Sequence, residues 1–145
     1  MNTVTREDVA SWDPCYSEDE VDALFGDRET LTAADIASLD ISRDDAVWAL
    51  AHMLADVSPR LARIFACDVA HEALTRYGGE VDPRCWYAVG VARKHADGLA
   101  SDAQLLAAES AAWSAAWSAA WSAAESAAGA AQISRLVTII EEVPS

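Results

Sequence analysis

A four-residue repeat in the C-terminal part constrains this chain more than any other feature. It covers residues 109–132 and reads ESAAWSAAWSAAWSAAESAAGAAQ. Alanine has the highest helix propensity and no proline interrupts the run, so the repeat predicts a helix. Because four residues turn a helix by about 400°, we expect Trp113, Trp117 and Trp121 to form one slowly spiralling ridge along it.

This tryptophan ridge has three interpretations. We favour burial in the core, with Trp117 packed against helices expected over residues 59–77 and 83–97, because each tryptophan buries a large apolar area. Alternatively, part of the ridge is an exposed docking surface, either for a partner or for a second copy of the chain. A membrane span is disfavoured, because the 15 residues between Glu109 and Glu125 are fewer than the roughly 18–20 that a span needs.

Local start and stop signals predict helices along the rest of the chain. Gly26, Gly78-Gly79 and Gly98 are typical helix stops. Residues 26–31 are expected to form a loop, and no period-two pattern predicts a strand anywhere. The expected starts are the caps Ser17 with Glu20, Thr32 with Asp35, Ser42 with Asp45, Ser58-Pro59, Asp82-Pro83 and Ser101 with Gln104.

These signals together predict an all-α fold in one compact domain. Residues 1–57 form an acidic N-terminal segment of short helices in this interpretation, and residues 58–145 form a helical core that includes the long Ala/Trp-rich helix. A chain of 145 residues with 52% hydrophobic composition is long and apolar enough for a single bundle with its own core.

The start of the chain and its cysteines predict a cytoplasmic protein. Residues 1–10, MNTVTREDVA, lack the basic and apolar regions of a signal peptide. The three cysteines, Cys15, Cys67 and Cys85, are too few for a disulfide framework and odd in number.

Negative charge is concentrated in the N-terminal part of the chain. Residues 1–56 hold fourteen acids against three bases, a net charge of −11, whereas residues 57–145 hold ten acids and seven bases, a net charge of −3. Such a field repels nucleic acid and attracts a basic protein surface, although solubility alone also favours it. The candidate partner-binding residues are Glu18, Asp19, Glu20, Asp22, Asp27, Asp40, Asp44 and Asp45. The bases Arg60, Arg63, Arg76, Arg84, Arg93 and Lys94 are expected to pair with this acidic half.

Residues 58–140 resemble a group of helical proteins encoded by bacteria and their phages. The resemblance lies in SPRLARIFACDVAHEAL, in DPRCWYAVGVARKHADGLASDAQL, and in the Ala/Trp repeat followed by AAQISRLVTII. In that group, an RLxRxFACDxAE-like helix and an ARxxADGxA-like helix precede a variable Ala/Trp repeat, and some members are labelled immunity proteins. The resemblance implies a helical fold and a role in toxin–antitoxin or phage–host conflict, and it supplies no catalytic residues.

Side chains that carry chemistry give no standard motif. Cys67 and His71 are four residues apart on one expected helix, and Cys85 or His95 would be needed to complete a zinc site. That spacing matches no known zinc motif, and a cysteine on an apolar helix face is usually a core residue. A Cys–His nucleophile lacks an orienting third group, and His52 is interpreted as structural. We therefore expect no catalytic residues, no metal and no cofactor.

The sequence favours a non-catalytic, acidic helical protein that neutralises or inhibits a protein partner with a basic surface, such as a toxin or a nucleic-acid-binding effector. An immunity protein and a phage-encoded inhibitor of a host defence nuclease, such as an anti-CRISPR, both match this description. The alternative is a structural protein that self-assembles through the Trp/Ala helix. An enzyme is the weakest of the three interpretations.

Overall fold

The computed structural model describes residues 1–77, 83–105, 107 and 128–145. Helices dominate these residues, and a single small sheet accompanies them. The predicted all-α class is therefore confirmed. The tryptophan ridge, the expected burial of Trp117 and the continuity of the long repeat helix lie outside the described residues.

The helix boundaries follow the capping signals closely. Ser17 and Glu20 form a reciprocal capping box at the start of α2, and Thr32 and Asp35 form another at the start of α3. A further helical segment begins after Ser101, which accepts a 3.2 Å hydrogen bond from the backbone of Gln104. The helices are α1 Arg6–Ser11, α2 Glu18–Phe25, α3 Ala33–Ala37, α4 Arg43–Val57, α5 Pro59–Tyr77, α6 Pro83–Ala96 and α7 Ala128–Glu142.

The expectation of no strands was wrong at two short segments. β1 is Thr3–Thr5 and β2 is Thr30–Thr32, and they pair antiparallel with Val4 opposite Leu31. Both central residues are buried, while Thr3, Thr5 and Thr30 are exposed. Three residues are too few to show a period of two in the sequence, so only the pairing reveals the strands.

The chain divides into two compact units. The first contains Met1–Val57 and Gly129–Ser145, and the second contains Ser58–Ala128. The division expected from the sequence shares the boundary after residue 57, but it grouped residues 129–145 with the second segment.

Helices from both ends of the chain build the core of the first unit. Phe25 of α2, Leu50 and Leu54 of α4, and Leu136 and Ile140 of α7 are all at most 2% exposed. All five residues belong to the first unit, so α7 contributes buried apolar side chains to the unit that the N-terminal segment begins.

The two ends of the first unit are also joined by hydrogen bonds. The side-chain amide of Asn2 donates to the carbonyl oxygens of Ile140, at 3.1 Å, and Val143, at 2.7 Å. Asn2 precedes β1 directly, so these bonds fix the first strand to the last turn of α7.

The second unit is organised around the packing of α5 on α6. Among the described residues of this unit, Arg93 pairs with Asp68, and Arg60 pairs with Asp97 at an Nη2–Oδ1 distance of 3.0 Å. Arg60 and Arg93 were expected to pair with the acidic N-terminal half. They pair instead within their own unit, Arg93 of α6 with Asp68 of α5, and Arg60 of α5 with Asp97 just after α6.

Candidate protein-binding surface

Four of the eight candidate acids are exposed and make no hydrogen bond or ion pair with the described residues. Glu18 and Asp19 lie in the first turn of α2, where the helix dipole favours negative charge. Asp27 follows the Gly26 turn that ends α2, and Asp40 lies between α3 and α4. These four carboxylates are therefore available to a partner, and we call them the outward acids.

The other four acids bind within the first unit or are partly buried there. Asp22 Oδ1 is 2.7 Å from Arg6 Nε, and Glu20 Oε2 accepts a 3.2 Å bond from the backbone of Ser17. Their negative charge is thus partly committed to the structure, which reduces their availability for recognition.

Asp45 is held by a tyrosine from a different segment. The Tyr16 hydroxyl donates a 2.5 Å hydrogen bond to Asp45 Oδ2, and this bond, with burial, raises the pKa of Tyr16 to about 12. The neighbouring Asp44 is half-buried, and its Oδ1 is enclosed without a hydrogen-bond partner in the described part of the chain. Asp45 therefore serves the structure, and sequence reasoning had no local signal for its long-range partner.

An apolar cavity of about 50 Å³ lies beside this tyrosine–aspartate pair. Its floor is formed by buried residues such as Val4, Phe25 and Leu31. Its rim is half-buried and includes Leu39 and Ile41, which flank the exposed Asp40. The cavity and the outward acids thus belong to the same unit.

Two tryptophans and a histidine pack together next to the cavity. Trp12 stacks on His52 with ring centroids 5.4 Å apart, and Trp48 lies 4.5 Å from the same imidazole. Trp12 Nε1 also donates a 2.8 Å bond to Asp56 Oδ2. Burial lowers the pKa of His52, and the charge of Asp56 opposes this effect. The interpretation of His52 as structural agrees with this packing.

Cys67 and His71, which were considered as a reactive or metal site, differ in their exposure to solvent. Cys67 is fully buried, and burial raises its pKa to about 11, so the thiol stays protonated. His71, on the same helix, is exposed. Within the described ranges, no three His, Cys, Asp or Glu side chains are grouped in a way that could hold a metal ion.

His95 forms a polar pair with Asp102. The His95 ring nitrogen Nε2 is 2.6 Å from Asp102 Oδ1, and this contact lowers the pKa of Asp102. His95 is at the end of α6, and Asp102 is in the first turn of the next helical segment. The pair therefore links the two ends of the turn that contains Gly98, whose backbone φ is +75°.

Sequence reasoning missed the aromatic side chains that line the cavity. Trp12 and Tyr16 lie between α1 and α2, and Trp48 lies in α4, so only the fold brings these two segments together. A partial signal was present, since Trp48, His52 and Asp56 are spaced four apart and so share one face of α4.

Among the helices of the described residues, none combines the length and the apolar character needed to cross a membrane.

No protein-family model, curated protein or solved structure matches the chain. The resemblance to the helical proteins of bacteria and phages therefore stays a prediction from the motifs themselves.

Proposed function

We propose that this chain is a non-catalytic binding protein that neutralises or inhibits a protein partner through its acidic N-terminal surface. The observation that supports it best is the set of outward acids, Glu18, Asp19, Asp27 and Asp40, which no described basic residue neutralises. They lie in a segment whose residues 1–56 carry a net charge of −11.

The chemistry of this surface favours a basic protein partner. Exposed carboxylates attract lysine and arginine side chains over distances of about a Debye length, roughly 8–10 Å at physiological salt. They repel the phosphates of nucleic acid, so a nucleic-acid-binding protein is a more suitable partner than the nucleic acid itself. A basic toxin and a nucleic-acid-binding defence nuclease are partners of this class, and the cytoplasm is the compartment that we propose for the chain.

Charge reversal on a captured partner tests the proposal. The partner is first isolated by affinity capture from the native host or from phage-infected cells. We expect the double variant Asp27→Lys with Asp40→Lys to slow association by about tenfold or more at low salt and to flatten its salt dependence, because steering acts mainly on the association rate.

A matched control separates local recognition from total charge. Glu141 and Glu142 are also exposed and lie at the end of α7 in the same unit. The variant Glu141→Lys with Glu142→Lys changes the net charge equally, and its effect on the association rate should be much smaller. Equal rates and salt slopes for the wild type and both variants would mean that the acidity serves only solubility.

Self-assembly through the Trp/Ala repeat is the second candidate function. It is favoured by the sequence of residues 109–132, in which three tryptophans recur on an alanine-rich background. Sedimentation velocity over a range of concentrations distinguishes the two candidates. Concentration-dependent oligomers that disappear in Trp117→Ala would favour assembly over a monomeric inhibitor.

A further inference from the structure

The apolar cavity of the first unit has a volume that suits a single side chain. Its volume is about 50 Å³, which is room for about four water-sized groups at roughly 10–15 Å³ each. A leucine or isoleucine side chain has this number of carbon atoms, whereas an aromatic ring is larger. The walls are almost entirely apolar side chains, so an aliphatic group is the matching occupant.

Exposed acids alternate with the residues that line the cavity. Asp13 lies between Trp12 and Pro14, and Asp40 lies between Leu39 and Ile41, with all four neighbours on the cavity wall. Exposed carboxylates from two separate segments are therefore adjacent in sequence to residues of the cavity wall. This arrangement favours an aliphatic side chain with basic residues on either side.

The cavity walls are held in place before any partner binds. Trp12 is fixed by its bond to Asp56 and by stacking on His52. Tyr16 is fixed by its 2.5 Å hydrogen bond to Asp45, and all these contacts lie within the first unit. A preformed apolar pocket that needs little rearrangement is typical of the anchor positions that dominate protein–protein binding energies.

We propose that this cavity binds one aliphatic side chain, of the size of leucine, presented by a lysine- or arginine-rich segment of the protein partner. This inference rests on the proposed function and adds to it the anchor point and the chemistry of the bound segment. The flanking carboxylates attract the basic residues, and the cavity selects the residue between them.

Short lysine-rich peptides, capped at both ends, provide the probe. Two peptides differ only in their central residue, which is leucine in one and alanine in the other. Binding is measured by titration calorimetry and by the NMR resonance of the Trp12 indole N–H. We expect the leucine peptide to bind about tenfold more tightly, the size of effect expected for burying an aliphatic side chain, and to shift the Trp12 resonance.

A variant that fills the cavity tests the location of binding. Ala49 lines the cavity on α4, so Ala49→Leu should abolish the preference for leucine. Ala34→Leu makes the same chemical change at an exposed position of α3 and should retain the preference. If Ala49→Leu does not fold, the comparison of the two peptides on the wild-type protein still decides the question.

The outcomes separate this inference from the proposed function. Equal affinities for the two peptides, both weakened by salt, would overturn the anchor and leave the acidic binding surface in place. A leucine preference that survives Ala49→Leu would also overturn it. If neither peptide binds at low salt, the result would contradict both the binding of an aliphatic side chain in the cavity and the attraction of basic segments to the acidic surface.

Discussion

Single threonines at the ends of both strands determine where two helices begin. Thr5 caps α1 by bonding to the backbone and side chain of Asp8, and Thr32 caps α3 in the same way with Asp35. The bonds from Thr32 lower the pKa of Asp35. These capping boxes are local in sequence, so each one stops the strand and starts the helix without help from distant residues.

We expect the stability of the first unit to depend on pH through His52. Burial lowers its pKa from the ordinary value of about 6.5. Below that pH the unfolded chain binds more protons than the folded chain, so the free energy of unfolding should fall as pH drops through the window between the unfolded and folded pKa values. Urea denaturation at neutral pH and at about pH 5.5 measures this fall.

Two histidine substitutions isolate the contribution of His52. His52→Gln removes the titrating group between the tryptophans and should reduce the loss of stability on acidification. His71→Gln changes an exposed histidine and should retain the effect of His52. A wild-type dependence that persists fully in His52→Gln would assign the acid sensitivity to other groups.

At the scale of elements, one arginine fastens the end of α2 to the start of α1. The Arg6 guanidinium donates to the carbonyl oxygens of Gly26 and Arg28, both at 3.0 Å, and to Asp22 at 2.7 Å. It also lies 4.7 Å from the centre of the Phe25 ring. This fork satisfies two carbonyl groups just beyond a helix C-terminus, where backbone partners are lacking.

Replacement of Arg6 by lysine should therefore be costly despite the retained charge. A lysine ammonium cannot bond three acceptors in one plane, so we expect Arg6→Lys to lower the free energy of unfolding by about 1–2 kcal/mol. Arg43→Lys, at the exposed first residue of α4, is the matched control and should change stability little. Equal effects of the two variants in thermal or urea denaturation would contradict the role assigned to Arg6.

The segment that forms β1 and α1 and the segment that forms β2 and α3 have similar sequences. Residues 3–11 read TVTREDVAS and residues 30–38 read TLTAADIAS, and each forms a strand, a capping box and a short helix. The shared Thr-x-Thr-x-x-Asp pattern was a readable signal for two similar elements. Their antiparallel pairing through Val4 and Leu31 was not readable, because it depends on a contact across the chain.

At the scale of the whole molecule, the C-terminal end adds buried residues to the unit that contains the N-terminal segment. Leu136 is fully buried, whereas Leu99 is 77% exposed. We expect Leu136→Ala to destabilise the first unit by about 2–5 kcal/mol, the range for buried leucines. Leu99→Ala should remain within about 0.5 kcal/mol.

Backbone amide exchange shows which part of the chain is affected. In Leu136→Ala, protection should fall in α2 and α4, because their residues Phe25 and Leu50 share the same unit and are also buried. Unchanged protection in those helices would mean that α7 does not contribute to their stability.

Much of the helical framework and its charge could be predicted from sequence, because caps, proline starts and glycine stops act within about one helical turn. The starts at Ser17, Thr32, Ser42 and Ser58 all belong to this local class.

Only the tertiary structure decided which acids remain outward, since Asp22 and Asp45 are engaged by Arg6 and Tyr16 from other segments. The same holds for the cavity, whose walls come from residues 4–49, and for the placement of α7 with the N-terminal segment. Such contacts depend on which buried surfaces pack together in the folded chain. The spacing of residues within one segment does not indicate which other segment it will contact.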